Sequence, residues 1–153
     1  MATPCAGKVS AAIRAPVNFF LCENALPAIA NYLIHLLLAC VLIMAFFKLY
    51  TYVTPVDEML LIRQGNNAAM LSLGGALIGF SLTVASCIIH TADYRQFVAW
   101  AVGAMVVQIL AYIVTTKILQ VSKEHIEAGN TAYGGLIGAI SLSIGAINAA
   151  GVS

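Results

Sequence analysis

Residues 28–47 read AIANYLIHLLLACVLIMAFF, and the core of this stretch, Leu36-Leu37-Leu38-Ala39-Cys40-Val41-Leu42-Ile43-Met44, is apolar without interruption. A helix needs about 20 mostly apolar residues to cross the hydrocarbon layer, and residues 28–47 supply that length with no charged side chain. In lipid each span must satisfy its own backbone hydrogen bonds, so the stretch is expected to be helical. The strands of an outer-membrane barrel would alternate over short segments instead. The rest of the chain is of the same kind. Of 153 residues 61% are hydrophobic and 8% charged, against about 25% charged in a typical soluble domain. Seven Lys/Arg and six Asp/Glu are too few to clothe a water-soluble fold. This composition excludes a soluble enzyme, a disordered chain and a nucleic-acid binder that works through a basic surface.

Outward from that stretch, the charges gather in a few places. Lys8, Arg14 and Glu23 precede it; Lys48, Asp57, Glu58 and Arg63 form one cluster, Asp93 and Arg95 a second, and Lys117, Lys123, Glu124 and Glu127 a third. Between them lie four apolar stretches, expected as spans at Ala28–Phe47, Ala68–Ile89, Phe97–Leu119 and Thr131–Val152. The expected fold is all-α, an integral membrane four-helix bundle. Residues 28–153 form the transmembrane domain, and residues 1–27, with Pro4, Pro16 and Pro27, form a tail that is amphipathic or poorly ordered. The tail lacks the apolar segment and small-residue cleavage site of a signal peptide. Four spans put both termini on one side. Lys48, Arg63, Lys117 and Lys123 flank the spans in the first and third loops, against Arg14 and Arg95 opposite. The positive-inside rule then places those loops in the cytoplasm and both termini outside.

Two segments match without gaps. Ile62-Arg63-Gln64-Gly65-Asn66-Asn67-Ala68 aligns with Ile126-Glu127-Ala128-Gly129-Asn130-Thr131-Ala132, and Gly74 then falls on Gly138. Each copy follows charged residues and opens a span. The implied unit is helix, charged loop, helix, present twice in the same orientation as an internal repeat. Asn caps a helix by accepting an orphan amide hydrogen bond, and Gly permits the sharp turn before it. The same geometry admits a second reading, in which paired helix N-termini attract an anion or line a solute entrance.

Thr54-Pro55-Val56-Asp57-Glu58, Leu61 to Ala69, Gly75-Ala76-Leu77-Ile78-Gly79-Phe80, Gln108, the Gly129-Asn130 segment and Asn148-Ala149-Ala150 together resemble the YjfL-like bacterial membrane proteins, known as domain of unknown function 350. The resemblance spans roughly residues 30–152. It implies a four-span protein of the bacterial inner membrane and brings no established activity. The family pattern usually has a proline in the second span where this chain has Thr83.

The spans hold few polar groups. His35 is read as a neutral, hydrogen-bonded histidine in preference to a proton relay. Gln108 and Asn148 are expected to link helices through their amides, or else to line a pathway. Gly75 and Gly79, and Gly134 and Gly138, are four residues apart, and Ser141, Gly145 and Ala149 continue the spacing. Small residues four apart share a helix face and admit a close neighbour. The second and fourth spans are therefore either a central pair or a surface of self-association. Tyr50, Tyr52, Tyr94 and Trp100 suit the membrane–water interfaces. Asp57-Glu58 and Glu124/Glu127 read as solvated loop carboxylates, with Arg63 or Lys123 near enough in sequence to pair. Cys5, Cys22, Cys40 and Cys87 and the three histidines lack metal-ligand spacing, so no metal, cofactor or catalytic group is expected. Two functions fit: a non-enzymatic scaffold or accessory subunit of an envelope complex, binding its own copies or another membrane protein, or a small oligomeric channel or transporter. In the second, Gly65, Asn66, Gln108, Gly129, Asn130 and Asn148 line the pathway.

Overall fold

The computed structural model describes the backbone of residues 6–119 and 123–152, and the side chains of residues 28–119 and 123–152. The elements in chain order are α1 (Ala6–Val53), α2 (Glu58–Arg63), α3 (Asn67–His90), α4 (Tyr94–Ile118), α5 (Lys123–Glu127) and α6 (Thr131–Gly151). No strand occurs among the described residues. Four segments are long and apolar enough to cross a membrane: Ala28–Val53, Asn67–His90, Tyr94–Ile118 and Thr131–Gly151. The chain divides into residues 1–37 and residues 38–153. The described part of the first unit is helix, and within it His35 Nδ1 lies 2.9 Å from Asn31 O. Of the expected tail at residues 1–27, the backbone is helical from Ala6, and residues 1–5 lie outside the described residues. The second unit holds the end of α1 and every other element.

The first span runs past Phe47 to Val53. A lysine does not end a helix, because its long stem carries the charge away from apolar surface. The stop comes from Pro55, which disfavours helical backbone at Thr54. Thr54 closes the end, its amide (2.9 Å) and its hydroxyl (3.0 Å) both donating to Tyr50 O. The short helices α2 and α5 occupy the loops, where the sequence shows charge but too little periodic length to declare a helix.

The tightest contact joins α3 to α6. A methyl group on Gly134 would strike the backbone of Ala68, one on Gly138 the carbonyl of Leu71, and one on Gly145 the backbone of Gly79. Gly75 likewise meets the Gly138 backbone, and Gly79 the carbonyl of Ser141. These contacts advance along both helices together, so α3 and α6 run side by side in the same direction. Small residues permit this approach, and what binds across it is dispersion and hydrogen bonding, since apolar contact alone gains nothing over lipid. The hydroxyl of Thr83 donates to Gly145 O (3.0 Å) and that of Ser86 to Ala149 O (2.7 Å). Thr83 stands within an unbroken α3, Asn67–His90, and spends its hydroxyl across the helix pair.

Around this pair, α1 contributes Phe46, stacked on Phe80 with ring centroids 4.4 Å apart, and Tyr50, tilted against Tyr112 at 4.9 Å. α4 contributes Gln108, whose Nε2 donates to Ser141 O at 2.7 Å. Large apolar side chains such as Ile78, Leu82, Val106, Leu110 and Ile147 point outward, as lipid solvation requires. Tyr50 departs from its expected interfacial place: it is fully buried, and its hydroxyl lies 3.1 Å from Ser72 Oγ. Tyr52, two residues on and so turned to the opposite side, is exposed.

Gly138→Ala and Gly145→Ala are expected to lower thermal stability in detergent by about 1–3 kcal/mol each, the usual cost of overpacking. Gly103→Ala, where a methyl group meets open space, is expected to lose none. Unfolding followed by circular dichroism or a thiol-reactive dye checks the contrast.

Candidate functional site

Each Gly-Asn pair does two jobs at one corner. Gly65 and Gly129 adopt left-handed backbone, φ 83° and 74°, which glycine enters without the clash a Cβ would bring. Gly65 N donates to Ile62 O and Asn66 N to Leu61 O; Gly129 N donates to Ile126 O and Asn130 N to His125 O. Both are Schellman closures of the preceding short helix. The asparagine then opens the next span. Asn66 Oδ1 accepts from Ala68 N (3.0 Å) and Ala69 N (3.1 Å), and Asn130 Oδ1 accepts from Ala132 N (3.1 Å).

The two corners differ further in what the asparagine amide nitrogen reaches. Asn66 Nδ2 donates to Ile126 O at 2.7 Å and to Glu127 O at 3.3 Å, so one side chain caps α3 and also ties the end of α5. Gly65, Asn66 and Gly129 line one open cleft of about 250 Å³ with Leu61, Gln64, Asn67, Glu127 and Ala128. Gln108 and Asn148 lie elsewhere, inside the helix pack. Asn148 Nδ2 lies 3.4 Å from Ala104 O, and Gln108 Nε2 donates to Ser141 O of α6, while its Oε1 has no partner among the described residues. Of the six residues named as a polar set, Gly65, Asn66 and Gly129 thus line a loop cleft, Asn130 caps α6, and Gln108 and Asn148 both bridge α4 and α6.

A different polar centre lies nearby. Glu58 opens α2, and its neighbour Asp57 takes the N-cap, accepting from Leu60 N at 3.1 Å. Asp57 is exposed, whereas Glu58 is only 2% exposed. This corrects the expectation of a solvated carboxylate paired with Arg63 or Lys123. The described ion pair of Lys123 is with Glu127, one helical turn on at 3.3 Å, and it is largely exposed. Among the described residues Glu58 Oε2 has no hydrogen-bond partner. The carboxyl borders a cavity of about 180 Å³ lined also by Pro55, Val56, Ser72, Tyr112, Thr116, Lys117, Lys123, Ile126 and Ile137. Burial pushes its pKa from the ordinary 4.5 up to about 8, because low-dielectric surroundings disfavour the charged form. At neutral pH the group is mostly the uncharged acid, able to donate as well as accept.

The sequence holds a partial signal for this. Glu58 stands directly before Met59-Leu60-Leu61-Ile62, an apolar run that must pack, and the adjacent Asp57 is the better cap. What brings Tyr112, Ser72 and Ile137 to the same point is tertiary. Among the described residues no group of three or more His, Cys, Asp or Glu is placed to hold a metal ion, and Cys40 and Cys87 are free thiols.

Comparison with known proteins adds to this geometry. The profile of the family described as Domain of Unknown Function (DUF350) matches residues 21–152. The chain is 31% identical over 109 residues to the UPF0719 inner membrane protein YjfL of Escherichia coli K12, covering 71% of this chain and 83% of that protein, and equally to its counterpart in Escherichia coli O157:H7. No solved structure matches significantly.

Two measurements probe the site. Asn66→Ala is expected to cost about 1 kcal/mol or more for the lost cap, and more than Asn130→Ala, because it also releases α5; urea or thermal unfolding in detergent reads the difference. The pH dependence of Glu58 has a definite sign. Between about pH 4.5 and 8 the folded chain keeps a proton that the unfolded chain has released, so stability falls as pH rises through that window. Glu58→Gln is therefore expected to be the more stable chain at pH 8, on the order of 1–3 kcal/mol, with the gap closing below about pH 5.

Proposed function

The chain belongs to the DUF350 family, and from that premise we propose that it is a non-enzymatic scaffold or accessory subunit of a complex in the bacterial inner membrane. The observation that carries this reading is how the polar groups of the spans are spent. Gln108, Thr83 and Ser86 donate to backbone carbonyls of α6, and the glycines of α3 and α6 meet backbone to backbone. Groups used to hold helices together are not free to line a path through one subunit. The glycine faces are also taken, so association with a second copy or another membrane protein would use the outer apolar faces of the spans. The matching turns at Gly65-Asn66 and Gly129-Asn130 support an internal duplication of a helix–loop–helix unit in parallel orientation. The excess of Lys and Arg in the first and third loops supports cytoplasmic loops and outward termini.

A second reading, a small oligomeric channel or transporter, draws on the open cleft between the two Gly-Asn corners. The readings differ in outcome. The scaffold reading expects purified protein in liposomes to pass neither ions nor small solutes, and detergent extracts to yield a stable complex with a defined membrane partner or further copies. Flux that is abolished by Asn66→Ala and Asn130→Ala would replace it with the channel reading.

A further inference from the structure

The cavity beside Glu58 combines features that neither scaffolding nor the Gly-Asn corners account for. Its carboxyl is 2% exposed with Oε2 unpartnered among the described residues. An unmet buried polar atom is costly, so a partner in the cavity that meets it is favoured. The space, about 180 Å³, equals several water molecules at about 30 Å³ each. Its lining is chemically sided. Lys117 and Lys123 line it on one side, the second also ion-paired with Glu127 at 3.3 Å, with Ser72, Tyr112 and Thr116 beside them and Val56, Ile126 and Ile137 as an apolar wall.

Thr116 donates its hydroxyl proton to Tyr112 O and Ile113 O, both at 3.0 Å. The Ser72 and Tyr50 hydroxyls are hydrogen-bonded to each other at 3.1 Å. The titratable and charged groups around the Glu58 carboxyl are Lys48 and Tyr50 from α1, Asp57 at the α2 cap, Tyr112 and Lys117 from α4, and Lys123 from α5 with its ion-pair partner Glu127, so that three cations face two carboxylates. With Glu58 uncharged, the lining carries net positive charge, which selects an anion. A cation would have to displace the proton and sit beside two ammonium groups.

The height of the cavity narrows the anion further. It lies just past the end of α1 at Val53, and Lys117 is in the last turn of α4. Spans end at the level of lipid phosphates, where a lysine head reaches the phosphate zone. We propose that this cavity binds a phosphodiester monoanion, with Lys117 and Lys123 balancing its charge and the protonated Glu58 carboxyl donating a hydrogen bond to a phosphate oxygen. The apolar wall accepts the carbon of the ester. This binding is independent of the scaffolding role: it stands or falls on the cavity alone.

The test uses the whole protein and probes whose charge is constant from pH 7 to 9. These are phosphatidylglycerol against phosphatidylcholine in nanodiscs, read by native mass spectrometry, and soluble glycerophosphoglycerol, read by calorimetry. Phosphatidylglycerol is expected to be retained over phosphatidylcholine at pH 7. Because only the protonated fraction binds, and the group titrates at about 8, apparent affinity is expected to fall about tenfold from pH 7 to 9. Glu58→Gln, a permanent neutral donor, is expected to keep the pH 7 affinity and lose the pH dependence. The double variant Lys117→Met, Lys123→Met is expected to lose binding at both pH values, and its fold is checked by its melting curve.

Binding of the lipid alone assigns the anion to a headgroup, and binding of the soluble diester assigns it to a free solute; either supports the site. Equal retention of the two lipids with no heat from the diester overturns it. So does binding unchanged by the lysine variant, affinity that rises with pH, or a pH dependence that survives Glu58→Gln.

Discussion

The backbone contact between α3 and α6 is the constraint on which the rest of the second unit depends. Gly134 against Ala68, Gly138 against Leu71 and Gly145 against Gly79 leave no room for a methyl group. In water such a contact would be driven by burying apolar surface, but lipid solvates Leu and Val as well as a neighbouring helix does. Here closeness itself is the source of attraction. It brings backbone carbonyls within reach of Thr83, Ser86 and Gln108, and each bond contributes only about 0.6 kcal/mol on average. The sum of many such terms, and not a large hydrophobic core, fixes which helices touch.

From that contact the corners follow. Two helices that run together in the same direction begin at the same level, so the chain must enter each through a similar turn. Gly65-Asn66 and Gly129-Asn130 supply it: left-handed glycine, Schellman closure behind, asparagine cap ahead. Asn66, the cap of α3, also reaches Ile126 O and so holds α5 at the start of that span. Glu58 is buried at this level, and the raised affinity of its carboxyl for a proton is a result of that burial. The local stability given up in burying an unpartnered carboxyl is the kind of cost that ligand-binding sites carry.

Some of this is legible residue by residue. Asn66 and Asn130 can be recognised as caps because Asn after Gly, before an apolar run, has few other roles. Gly134 and Gly138 can be recognised as a contact face because their spacing matches the helix period. Their partner cannot be read from spacing: a glycine face accepts any close helix, its own subunit's or another's. Tyr50 and Glu58 resist reading for a different reason. A tyrosine near a span end and a glutamate in a charged loop both have an ordinary exposed environment, and local sequence carries no mark of the exception.

What the sequence determined by itself is the number, position and helical nature of the spans, because lipid forces every uncharged run of about 20 residues into the same solution whatever its neighbours are. It also determined the corners, whose hydrogen bonds close within a few residues. Tertiary structure alone decided that α3 pairs with α6, that Gln108 and Asn148 both bridge α4 and α6, and that Glu58 is buried beside a cavity lined by Tyr112 and Ile126. Those outcomes depend on groups 33 to 63 residues apart meeting in space, and no local rule of hydrogen bonding or hydropathy encodes which ones do.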